Sequence, residues 1–123
     1  MALNIRVEEN RPFSRTVSLE GKLDNSTAGL LDAELEAITA PPATVVVFDL
    51  DRLDYISSAG LRLIFRTRKA MAARAGKTLL INLRPQVKKV FEIANAVDFA
   101  EVFASVDELD RYLDAMQRKV TGG

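Results

Sequence analysis

The chain has 123 residues, 48% of them hydrophobic and 28% charged, with 17 basic residues balancing 17 acidic ones and neither histidine nor cysteine. That size suits a single domain with one core. The missing residue types exclude zinc fingers, histidine-based triads, Cys-His nucleophile pairs and a disulfide framework, and leave only carboxylate sites for hard cations open.

Residues Leu3 to Glu8 alternate apolar and polar side chains, as a strand with one covered face does. Asn10-Arg11-Pro12 signals a turn and Phe13 to Leu19 alternates again, so a hairpin is expected. Glu20 to Ser26 reads as a break rich in N-cap residues, followed by Leu30, Leu31, Leu35 and Ile38 at helical spacing. A first helix is therefore expected from about Ser26 to Ala40, ended by Pro41-Pro42. Thr44 to Leu50 is a continuous apolar run and predicts a strand buried on both faces, with Asp49, Asp51 and Asp54 in a polar connection after it.

The Ser57-Ser58 pair then opens a second helix, whose inward face is marked by Leu61, Ile64, Phe65, Met71 and Ala72 and whose end lies near Ala75-Gly76. Thr78 to Leu83 predicts the next buried strand, and Pro85 suits the first turn of a third helix carrying Val87, Val90, Phe91 and Ile93. Phe99 to Phe103 is strand-like, Ser105 to Glu108 fits a capping box for a last helix through Met116, and 119–123 reads as a flexible tail. The expectation is one α/β domain over 1–123, core about 3–117: a mixed, mostly parallel sheet with an antiparallel N-terminal hairpin and about four helices. No transmembrane run and no basic-then-apolar leader is found, so a cytoplasmic protein without membrane insertion is expected.

Nine basic residues and no acidic one lie between Tyr55 and Phe91. Such a segment suits an acidic partner, a phosphate or an anionic surface. Without interleaved aromatics it reads better as solvated helix faces with acidic neighbours from elsewhere in the fold, and direct nucleic-acid binding is not expected. The glycines are isolated, with no phosphate-cradling pattern, and Ser58-Ala59-Gly60 lacks both the hydrolase elbow and a base. Asp49, Asp51 and Asp54 have no matching acidic constellation, so turn chemistry is favoured over a metal cluster. No catalytic residue, metal or cofactor is therefore assigned.

One serine of the Ser57-Ser58 pair is enough to cap the helix, a contribution of roughly 0.5–2 kcal/mol. The second is spare, at a helix start where a phosphate on serine is tolerated, and Arg62 lies one turn along.

Gly21-Lys22-Leu23-Asp24, the strand ending in Asp49-Leu50, Tyr55-Ile56-Ser57-Ser58-Ala59-Gly60-Leu61, Gly76-Lys77 and Val87-Lys88-Lys89-Val90-Phe91 together resemble the STAS domain of anti-sigma factor antagonists, over about residues 3–117. The resemblance implies a non-enzymatic switch that binds a serine-kinase-type anti-sigma factor, is inactivated by phosphorylation and is restored by a PP2C-type phosphatase. By position, the phosphorylated serine falls on Ser58 and the acidic partner contact on Asp24, with Ser57, Ala59, Gly60, Leu61 and Arg62 completing the implied partner-binding set. Ser57 stands where phospho-regulated members often carry Asp, and Ala59 follows Ser58, which leaves two alternatives open: Ser57 as the modified residue, or a switch that has been lost. The family also includes constitutive adaptors of phospholipid-transport and stress-signalling complexes.

Overall fold

The computed structural model describes residues 3–93, 102–103 and 111. Five strands form one sheet in the order β1-β2-β3-β4-β5, namely β1 (Leu3–Arg11), β2 (Ser14–Leu23), β3 (Val45–Ile56), β4 (Lys77–Ile81) and β5 (Val102–Phe103). The first pair is antiparallel and the remaining neighbours are parallel, as expected for a hairpin followed by helical crossovers. Helices α1 (Ala28–Ile38), α2 (Ser58–Ala72) and α3 (Pro85–Ile93) supply those crossovers. The expected last helix lies outside the described residues apart from Arg111, which is helical, and the expected tail lies outside them entirely.

Strand alternation divides the core. Val17, Leu19, Val46, Phe48, Leu50 and Leu80 join Leu31, Leu35 and Ile38 of α1, Leu61, Ile64 and Met71 of α2, and Val87 and Phe91 of α3 in one buried cluster. Val45, Val47, Leu79 and Ile81, with Phe13 beside them, form a second. The first four residues of β3 are buried without alternation, which is the continuous apolar run explained.

Three strands are longer than expected. β1 runs on through Asn10 to Arg11, where the turn was expected to begin. β2 does not break at Glu20 but continues to Leu23, with the freedom of glycine used inside the strand, where Gly21 has φ 109°. β3 does not end at Leu50; it carries Asp49, Asp51 and Asp54 on to Ile56, so these are strand residues and not a polar connection. The reason is that Leu50, Leu53 and Ile56 all face the core at a spacing of three, which plain alternation cannot deliver. Register shifts against β2 fall at Ser18/Glu20 and at Gly21/Lys22, and each gives β3 one extra residue. Each such bulge converts a step of two into a step of three.

Leu30, expected on the inward face of α1, is 53% exposed, while Leu31, Leu35 and Ile38 are buried. Helix α1 ends at Ile38, before the prolines, where the Thr39 hydroxyl donates to Leu35 O at 2.9 Å. Acidic neighbours from elsewhere do meet the basic segment: Arg66 pairs with Asp32 at 3.0 Å and Arg84 with Asp54 at 2.8 Å. Arg84 also donates to Asp51 O, and Arg74 to Thr39 O and Ala43 O. Among the described residues no helix is long and apolar enough to cross a membrane.

Candidate functional site

β2 and β3 run parallel, so their last residues, Leu23 and Ile56, lie side by side in register. The strand-to-helix turns that follow therefore leave the sheet at the same edge, and Ser57 N–H donates to Leu23 O at 2.9 Å. That single register brings Asp24 next to the Ser-Ser pair from 33 residues away in the chain.

The first turn closes on itself. One oxygen of the Asp24 carboxylate accepts from Ser26 N–H at 2.9 Å, from the Ser26 hydroxyl at 2.7 Å and from Thr27 N–H at 3.1 Å. Buried Thr27, which accepts from Asp24 N–H at 2.9 Å and donates to Lys22 O at 2.8 Å, stitches the turn to the end of β2. The Ser26 hydroxyl above all, then the backbone N–H groups and Thr27, hold the Asp24 carboxyl below its ordinary pKa against an opposing desolvation effect. Nothing in the composition of the turn singled out Thr27. Its offset of three from an Asp is the one local signal that fits an Asx-type turn.

The second turn is held more economically. Ser57 is the N-cap of α2, with extended backbone, and its hydroxyl accepts from Gly60 N–H at 3.3 Å. Ser58, the first helical residue, is exposed and its hydroxyl has no partner among the described residues. One serine caps and the other is left over, as the doubling of the residue suggests. Arg62 is exposed one turn further on, also without a partner among the described residues, and Tyr55 just before the turn is 49% exposed.

Gly60 and Leu61 lie differently from the rest of the expected partner-binding set, because they face inward. A methyl group at Gly60 would stand 2.6 Å from Leu23 Cγ and 3.0 Å from Ile56 Cγ1, so the absence of a side chain here lets α2 seat on the ends of both strands. Leu61 is a core residue, 7% exposed. Ala59 is half-buried. The face that another protein can reach is thus made by Asp24, Ser57, Ser58 and Arg62, with Gly60, Leu61 and Leu23 beneath it. Leu23 was not foreseen as part of the site, since only the fold places it under the glycine.

Among the described residues no group of three or more acidic side chains is placed to hold a metal ion. Asp49 is engaged locally, accepting from Asn82 Nδ2 at 3.2 Å and from Asp51 N–H at 3.1 Å.

Residues 4–109 match the STAS domain family. Over 76 residues the chain is 43% identical to a Bordetella bronchiseptica protein named as the anti-sigma factor antagonist BtrV, a stretch covering 62% of this chain and 66%, just under two thirds, of that one. An anti-sigma F factor antagonist of Lysinibacillus sphaericus is 29% identical over 79 residues, covering 63% of this chain and 68% of its own. Among solved structures, that of the Bacillus cell fate determinant SpoIIAA in its phosphorylated form superposes with a TM-score of 0.72 at 25% identity, covering 89% of this chain and 99% of that one.

Proposed function

This chain belongs to the STAS domain family, and on that premise we propose that it is an anti-sigma factor antagonist. Its partner is an anti-sigma factor of the serine-kinase type, met by the face that Asp24, Ser57, Ser58 and Arg62 present. Phosphorylation of Ser58 by that kinase ends the interaction and a PP2C-type phosphatase restores it. The protein itself performs no chemistry; it is a cytoplasmic docking module with two charge states.

The observation that carries this reading is the division of labour between the two serines. Ser57 is occupied as a cap, whereas the Ser58 hydroxyl is exposed and unengaged among the described residues. A phosphoryl group on Ser58 would bring a charge of about −1.5 to −2 to the positive end of a helix dipole, so it leaves the fold intact and changes only the docking surface. Bulk and repulsion from acidic groups on the partner then oppose binding. The names of the relatives, and the likeness to a protein whose structure is of a phosphorylated form, support the same reading.

The test is incubation with the cognate kinase and ATP, followed by mass spectrometry and titration calorimetry. Phosphate is expected on Ser58; Ser58→Ala should bind in the presence of ATP without being released, and Ser58→Asp should weaken binding about tenfold or more, a loss of about 1.4 kcal/mol. Phosphate on Ser57 alone would move the switch by one residue. A complex insensitive to ATP, with neither serine modified, would overturn the switch in favour of a constitutive adaptor.

A further inference from the structure

β1 is the edge strand of the sheet, and among the described residues nothing pairs with its outer side. Its regular register with β2 covers Leu3 to Glu8, with Arg6 opposite Ser18, Val7 opposite Val17 and Glu8 opposite Thr16. Val7 is 39% exposed, one of three large apolar side chains left in solvent among the described residues. Arg6 and Glu8 flank it and are both exposed, and their side chains make no hydrogen bond or ion pair among the described residues. Other exposed charges nearby are paired: Glu9 with Arg15 at 3.4 Å and Glu20 with Arg52 at 3.6 Å.

We propose that two copies of this chain associate through β1, antiparallel about a two-fold axis normal to the sheet beside Val7. Arg6 of each copy then faces Glu8 of the other, and Val7 faces Val7. Strand geometry makes this register special. Arg6 and Glu8 point to one face of the sheet and Val7 to the other, and directly opposed residues of an antiparallel pair must share a face. Under a two-fold axis that condition is met only when opposed residue numbers sum to an even number. The sum of 14 pairs both charges and joins the two valines; the neighbouring registers, with sums of 12 and 16, set Arg6 against Arg6 and Glu8 against Glu8, which costs stability.

Charges on an edge strand ordinarily prevent pairing. Here their order excludes the adjacent registers and favours one. The resulting interface is self-complementary, as a two-fold contact requires, and joins two five-stranded sheets into one by main-chain hydrogen bonds. It does not depend on the function proposed above.

Sedimentation equilibrium of the full chain up to millimolar concentration tests it, with circular dichroism confirming that each variant is folded. Wild type should approach twice the chain mass, and high salt should shift it toward monomer, since exposed ion pairs are screened. Arg6→Glu or Glu8→Arg alone places like charges opposite each other twice and should weaken the dimer roughly tenfold or more. The double variant Arg6→Glu with Glu8→Arg should restore it. Val7→Lys, on the other face of the sheet, provides an independent route to the same loss. A monomer at every concentration, a dimer unmoved by the single reversals, or a double variant no better than the singles would each overturn the proposal.

Discussion

The two turns that leave the sheet side by side are built on opposite plans. In the turn after β2, the Ser26 N–H, the Ser26 hydroxyl and the Thr27 N–H converge on one oxygen of the Asp24 carboxylate, and Thr27 ties the turn back to the strand. In the turn after β3, one serine hydroxyl accepts one helical N–H, and the residue beside it is left with an unengaged hydroxyl. The first is a fixed wall and the second is a place where chemistry can be added without dismantling anything. A turn held by several hydrogen bonds beside one with a spare hydroxyl is what the proposed docking face and switch require, because the switch must alter the surface while the wall keeps its shape.

That contrast can be broken first at its common floor. Gly60→Ala puts a methyl group within 2.6 Å of Leu23 Cγ, beneath both turns. Overpacking of this kind should cost about 1–3 kcal/mol, measured by denaturant unfolding, and a variant as stable as wild type would mean that α2 is not seated on the strand ends as described. The serines come next. Ser57→Ala should lose about 0.5–2 kcal/mol as its cap is removed, whereas Ser58→Ala should stay within about 0.5 kcal/mol of wild type, as exposed substitutions do. Equal losses would erase the division of labour.

The smallest effect is a shape and not a shift. The Asp24 carboxyl is held below its ordinary pKa in the folded chain by the Ser26 and Thr27 hydrogen bonds. The stabilisation is therefore fully present above the unfolded Asp pKa and is lost as the pH falls through the depressed folded value. Asp24→Asn should remove that part of the acid limb in melting curves taken across the pH range, while Ser58→Ala leaves it unchanged. An identical acid limb in Asp24→Asn would show that the first turn does not depend on the ionised carboxylate.

Where the sequence spoke in short-range terms, it was readable. Leu31, Leu35 and Ile38 repeat at helical spacing and are buried; the run from Val45 to Phe48 has no polar alternation and is buried on both faces; one serine of a pair at a helix start does become the cap. Periodicity and capping depend on residues within a few positions of one another, so the sequence alone determines them.

Other features escaped it. Leu30 matches the apolar face by type, yet the way α1 lies on the sheet leaves it in solvent. The second half of β3 has its core residues three apart, a period belonging to neither regular structure, until two bulges against β2 absorb the excess. The meeting of Asp24 with Ser57 and Ser58 follows from parallel pairing between strands far apart in the chain, as does the place of Leu23 under Gly60. The exposure of Leu30 is settled by how α1 packs on the sheet, and the other two by register between distant segments, which hydrogen bonds across the sheet decide; no local window of residues contains either.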